Sequence, residues 1–192
     1  AFRAALNVLK DRPIEHFFDI GGNTGRFTKM ALSTWTQATA TIVDLPEQLQ
    51  LMRANPELTI EEQNRISGFA INWLDFDAQL HTDTKADLIW MSQFLDCFSR
   101  EEAISILVRA KEALKAGGEI AILEPLWDEQ RNTTSALSLT ATSLYFTVLA
   151  NGNSRFFAKN ELIAIIEEAG LKVVDVHNNL GISHSLFLCQ IA

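Results

Sequence analysis

The sequence predicts a doubly wound α/β domain, a mostly parallel seven-stranded sheet with an antiparallel last strand. Three observations carry that expectation. Short apolar runs alternate along the chain with segments of helical periodicity. The first run, Phe17, Phe18 and Ile20, stops at a glycine turn, Gly21-Gly22 with Gly25 following. Two later runs end in an acid, Asp44 and Glu124. Glycines suit such a turn because a Cβ would block both the φ > 0 backbone and close approach to a ligand. Strand, turn and helix N-terminus together predict a ligand site at the carboxyl edge of a parallel sheet.

The elements follow in order. Phe2, Ala5, Leu6 and Leu9 have helical spacing within residues 1–12, ahead of Pro13. After the glycine turn, Phe27, Met30, Ala31 and Trp35 mark an amphipathic helix. Ala40–Asp44 is the second strand, and Pro46 opens a helix through Leu49 and Met52. Thr59-Ile-Glu-Glu62 reads as a capping box. Phe69–Leu74 and Asp87–Met91 are the third and fourth strands, and Ser99-Arg-Glu-Glu102 is a second capping box. The helix after it carries Ile104, Leu107, Val108 and Leu114, with Gly117-Gly118 as its stop. Ile120–Glu124 is the fifth strand, Ser135 to Ala150 a long apolar helix, and Leu162 to Ile166 another helix, closed by Gly170. Val173–His177 and Leu186–Ile191 complete the sheet.

A chain of 192 residues forms one domain, residues 1–192, with enough length to bury a core. A net charge of −8 without a basic arm or tail argues against a nucleic-acid partner. No apolar run reaches the roughly 18 residues of a membrane span, and no signal peptide is visible. Cys97 and Cys189 stand in unrelated contexts, which suits a reducing compartment and a cytoplasmic location. No His or Cys spacing is that of a metal site. The first residue is Ala, which suits a fragment or a processed product.

Ile20 stands where the dinucleotide fingerprint requires its first glycine, which disfavours a nicotinamide oxidoreductase. Asp44 lies 23 residues beyond Gly21, near the spacing at which an acid reaches a ribose diol. Asp19-Ile-Gly-Gly-Asn-Thr-Gly25 resembles the first motif of class I S-adenosyl-L-methionine (SAM) dependent methyltransferases, whose fold is Rossmann-like. The chemistry agrees, since SAM offers an ammonium to a carboxylate such as Asp19 and a carboxylate to backbone N–H groups.

Further segments are similar to the plant- and bacterial-type O-methyltransferases of small hydroxylated compounds. Val43-Asp-Leu-Pro46 looks like the ribose-binding segment, which implies cofactor contacts for Asp44 and Leu45. Trp73-Leu-Asp-Phe-Asp77 resembles the Gly-Asp-Phe-Phe-Asp segment, implying that Asp75 meets the adenine amino group and Phe76 packs on the ring. The resemblance also places Ser92, at the end of the fourth strand, with Gly21, Gly22 and Gly25 against the cofactor. Residues 114–124 resemble the Leu-x-Pro-Gly-Gly segment that ends in Glu, and residues 151–170 the Gly-Gly-x-Glu-Arg-Thr stretch with its following helix. What the family implies is methyl transfer to a hydroxyl oxygen of a small aromatic acceptor, releasing S-adenosyl-L-homocysteine (SAH). It also implies a homodimer through an N-terminal helical domain absent from this chain. The apolar faces of residues 2–9 and 135–149 are therefore expected to leave an exposed patch.

Two departures bear on catalysis. The family carries Leu-His-Asp-Trp with His as general base, whereas Leu95-Asp-Cys-Phe98 puts Asp96 in the His position. Its second supporting Glu is replaced, with Ser154 at or near that place, so only Glu124 remains. Asp96 paired with Glu124 is one reading, since like charges raise the basicity of a buried pair. A cap for the helix near Ser99 is another. Transfer by proximity and desolvation alone is a third, and the lost histidine also suits a SAM-binding module without transfer activity. Trp127, Tyr145 and Asn151 are candidates for the acceptor site, although Trp127 equally suits covering the sheet edge and Tyr145 core packing. Phe146, Asn153 and His184 are lesser candidates.

Overall fold

The computed structural model describes residues 1–150 and 152–192. Its strands are β1 (His16–Ile20), β2 (Thr39–Asp44), β3 (Ile66–Ala70), β4 (Ala86–Ser92), β5 (Leu114–Pro125), β6 (Leu171–Leu180) and β7 (His184–Ile191). All of β1 is buried, as a strand covered on both faces must be. The seven strands form one sheet in the order β3-β2-β1-β4-β5-β7-β6. β1 pairs in parallel with β2 and β4, and β7 runs antiparallel to both β5 and β6. Strand order reverses between β1 and β4, which opens a crevice at their carboxyl ends.

The helices are α1 (Phe2–Leu9), α2 (Arg26–Thr34), α3 (Pro46–Arg53), α4 (Ile60–Asn64), α5 (Arg100–Lys111), α6 (Thr133–Leu149) and α7 (Lys159–Glu168). Leu6 and Leu9 of α1 and Phe27 and Leu32 of α2 pack with Phe17, Leu88 and Leu123 on one face of the sheet. Ile106 and Leu107 of α5 and Leu162 and Ile165 of α7 pack with Phe18, Ile89 and Phe187 on the other. Leu49 and Met52 of α3 cover Ile42 of β2. Both capping boxes form, at Thr59–Glu62 and Ser99–Glu102, and Pro46 takes the first turn of α3.

The structure corrects three readings. The third strand is Ile66–Ala70 rather than Phe69–Leu74. Asn72 and Asp75 end it early, because their side chains accept the N–H groups of Leu74 and Asp77 and fold residues 72–78 into turns. α5 stops at Lys111, and Gly117-Gly118 lies inside β5 instead of ending the helix. There the pairing with β4 slips between Ala86 and Leu88. A Cβ on Gly118 would stand 3.0 Å from the Ala86 carbonyl oxygen, so the glycine permits the irregular pairing. The third correction concerns α1, whose apolar face is covered by the chain itself. α6 keeps the expected exposure: it has no buried residue, and Leu137, Leu144 and Val148 are 68%, 66% and 71% exposed.

Candidate active site

The glycine turn is built from backbone that few residues tolerate. Gly21, Asn23 and Gly25 have φ of 71°, 51° and 80°. Asn is the non-glycine residue that enters this region at least cost. The Gly21 N–H donates to the Val43 carbonyl at 2.9 Å. Asp44, at the end of β2, accepts the Asn23 N–H at 2.9 Å and the Leu45 N–H at 2.8 Å, so the acid and the turn hold each other. Asp19 lies buried beneath the turn, where the Thr28 hydroxyl donates to it at 2.6 Å. A Cβ on Gly22 would come within 2.8 Å of the Asp19 carboxyl carbon. Burial pushes the Asp19 carboxyl up to about 7.

Above the turn lies a cavity of about 290 Å³ lined by Asp19, Gly21, Gly22 and Ser92, with Phe2, Asn23, Thr24, Arg26, Phe27 and Trp90. Gly25 opens α2 behind it, while Leu45 and Phe76 are exposed apolar side chains. Asp75 is also exposed, on the turn after β3. The structure thus gathers four of the expected cofactor residues in one cavity and leaves Gly25, Asp44, Leu45, Asp75 and Phe76 outside its lining. Phe2, Arg26 and Trp90 were not legible as site residues. Trp90 hides within an apolar strand, and it reaches the cavity through a stack with Phe27, centroids 3.9 Å apart, that Phe2 meets edge-on.

Beyond Ser92 the chain turns sharply. Gln93 has φ 47°, and Leu95–Cys97 form a single 3-10 turn carrying Asp96. Glu124 of β5 is fully buried behind that turn, and its Oε1 accepts the N–H groups of Phe94 and Leu95, both at 3.0 Å. Glu124 Oε2 has no hydrogen-bond partner. Burial pushes Asp96 up to about 6, and the bond its carboxylate accepts from the Cys97 thiol opposes part of the rise. Glu124 is raised well above the usual carboxylate range by burial, then by the Asp96 charge. Because the Asp96 charge raises Glu124, the two carboxyl groups titrate as a coupled pair rather than independently.

Asp96 does not cap α5, since Ser99 does so with its own hydroxyl. Instead Asp96 faces a second cavity, of about 320 Å³, lined by Gln93, Asp96, Cys97, Phe146, Ala150, Ser154, Arg155 and Phe156. Trp127 lines an adjoining hollow with Leu144, Arg155 and Phe156. Tyr145 is absent from the lining of these spaces, and its neighbour Phe146 takes the position in the wall that the sequence left between them. Asn151 lies outside the described residues. His184 opens β7, paired with Pro125, and lines neither cavity. Phe94 packs against the glycine turn: a Cβ on Gly21 would stand 2.4 Å from that ring. Among the described residues no group of three or more His, Cys, Asp or Glu side chains could hold a metal ion. Nor is any helix among them long and apolar enough to cross a membrane.

The O-methyltransferase domain model matches residues 1–172. Acetylserotonin O-methyltransferase of Gallus gallus is 25% identical over 174 residues, which are 91% of this chain and 47% of that protein. Norreticuline-7-O-methyltransferase of Papaver somniferum is 25% identical over 158 residues, 82% of this chain and 40% of that protein. The chain therefore spans less than half the length of these curated relatives. Among solved structures, TnmH shares the fold with a TM-score of 0.81 at 24% identity, covering 100% of this chain and 53% of that one. NcsB1, an O-methyltransferase from neocarzinostatin biosynthesis, was crystallised with SAH and 1,4-dihydroxy-2-naphthoic acid. It gives a TM-score of 0.74 at 21% identity over 98% of this chain and 50% of its own. The fold is thus Rossmann-like, as the glycine turn and strand order predict. Because the family match runs from the first residue into β6, past both cavities, the chain belongs to the O-methyltransferase domain family.

Proposed function

We propose that this domain is a SAM-dependent O-methyltransferase acting on a small aromatic acceptor. The observation that carries the reading is the junction at the end of β4. Ser92 lines the cavity over the glycine turn, while Gln93 and Asp96 line the second, so a single short stretch separates a nucleoside-sized site from an apolar pocket holding a buried acid. Glycines at 21 and 22 let the turn pack against Phe94 and over Asp19, with which a Cβ at those positions would collide. Bound there, SAM would supply an electrophilic methyl group on its sulfonium.

The residues of the chain divide the remaining tasks. Asp44 retains lone pairs for the ribose hydroxyls, and Asp19 faces the cofactor's ammonium from below. Asp75 and Phe76 serve the adenine. The walls of the second cavity, Phe146 and Phe156, hold a flat ring and exclude water. The methyl group would pass to the acceptor's hydroxyl oxygen while the electrons of its bond to sulfur stay on sulfur. The hydroxyl proton passes to Asp96, whose basicity is raised by burial beside Glu124. SAH is the product.

The partner implied by the family is a second copy of the full-length protein, and the unburied apolar surface of α6 supports that reading. The dispersed cysteines support a cytoplasmic location. The test is incubation with SAM and a panel of phenols, read by mass for a methylated product. SAM binding without any methylated product would leave a binding module instead.

A further inference from the structure

Arg109 lies in α5, only 5% exposed, and its guanidinium is occupied by backbone carbonyls. Nη1 donates to the carbonyls of Asp75 at 2.8 Å and Ala78 at 2.9 Å, and Nη2 to that of Trp73 at 2.7 Å. Nε donates to Ser105 on its own helix at 3.2 Å, and the guanidinium lies 5.0 Å from the centre of the Trp73 ring. A buried cation is tolerated only where dipoles or charges replace water. Here three carbonyls of one turn do so, which couples the charge to the shape of that turn. The rigid guanidinium fork fits them simultaneously, as an ammonium could not.

That turn follows β3 and has no strand partner. Its inner side is Trp73, buried at 4% exposure, and its outer side is Phe76, at 56%. Its internal bonds are local, from the Asp75 N–H to the Asn72 carbonyl and from the Ala78 N–H to the Asp75 carbonyl. Arg109 ties this irregular segment to a helix packed in the core. We infer that Arg109 is a positioning residue for the purine end of the cofactor site. It fixes residues 73–78 so that the Asp75 carboxylate and the Phe76 ring stand ready before the ligand arrives. A turn ordered in advance spares the ligand the entropy of ordering it. The inference rests on the proposed function, in which Asp75 and Phe76 meet the adenine.

Calorimetry with SAH and with S-inosylhomocysteine, which has a 6-oxo group in place of the 6-amino group, tests it. Wild type, Arg109→Met, Arg109→Lys and Asp75→Ala should each be titrated with both ligands, alongside thermal melts. Wild type should prefer SAH, and Asp75→Ala should lose that preference. Arg109→Met should weaken SAH binding about tenfold, on the scale of one charge-assisted hydrogen bond, and should also lose most of the preference. Arg109→Lys, keeping the charge without the fork, should fall between and serves where the Met variant does not fold. The KM for the acceptor should stay at its wild-type value in both. A lowered melting temperature with the SAH preference intact in Arg109→Lys would overturn the inference and leave Arg109 as a fold residue. An unchanged preference in Asp75→Ala would overturn it differently, by removing the adenine contact it depends on.

Discussion

Replacing Asp96 by Asn keeps the side chain's size and removes its charge. The folded value of about 6 stands above the reference 3.8, a rise of about 2 units, on the order of 3 kcal/mol at roughly 1.4 kcal/mol per unit. Because the folded state holds this proton more tightly than the unfolded chain, the group's contribution is most favourable below about pH 4. It declines as pH rises to about 6 and stays at the lower level above that. Asn does not ionise, so Asp96→Asn should be more stable than wild type at pH 7.5, by up to about 3 kcal/mol, and about equal near pH 4. Turnover should move the other way, falling by about 10²–10⁴ if Asp96 takes the acceptor proton. The wild-type rate should rise with pH through about 6, and the variant should lose that limb. Glu124→Gln should also be slow, with the double variant falling by less than the product of the two, since the carboxyls act as a unit. Asp96→His should keep or raise activity toward phenols. Urea denaturation at the two pH values and product mass across pH measure all of this. Near wild-type turnover in Asp96→Asn, or a variant less stable than wild type at pH 7.5, would refute the reasoning.

Three other outcomes are expected. Asp44→Ala should weaken SAH binding by about 1.5–3 kcal/mol in calorimetry, the worth of a hydrogen bond to a charged group; unchanged affinity would place the ribose elsewhere. Asp19, pushed up to about 7, must release a proton to meet an ammonium. SAM affinity should therefore strengthen as pH rises toward 7 and level off above it, with proton release seen by titrating in two buffers and absent in Asp19→Asn. Leu144→Ser with Val148→Ser should shift stability by no more than about 0.5 kcal/mol per site, because neither side chain is buried, while reducing self-association in sedimentation. A melt lowered by many degrees would mean that these residues already pack within the chain.

What could be read from the sequence was whatever depends on near neighbours. The glycine turn, the two capping boxes and Pro46 announce themselves within a few residues, and the apolar runs place every strand at least in part. The misreadings come from distant partners. Gly117-Gly118 looks like a helix stop, but its backbone is shaped by the Ala86 carbonyl across the sheet. Phe146 rather than Tyr145 lines the cavity beside Asp96, and the rotation that decides between them is not readable in so apolar a helix as α6. Arg109 reads as an ordinary helix residue, since the carbonyls it binds on the turn lie 31 to 36 residues away. The Asp96–Glu124 pair was legible through the family's pattern, while the absence of a hydrogen-bond partner on Glu124 Oε2 needed three dimensions.

Phe94 has a consequence for binding. Its ring rests against Gly21, and its own N–H is held by Glu124. One side chain therefore touches the glycine turn that floors the first cavity and begins the turn that carries Asp96 to the second. A displacement of the glycine turn on occupancy should then reach Asp96 by way of Phe94. The two ligands should then report on one another: whatever factor SAH adds to acceptor affinity, the acceptor must add to SAH affinity. With the smaller Leu in place of Phe94 that mutual factor should approach one, leaving two sites that fill in random order.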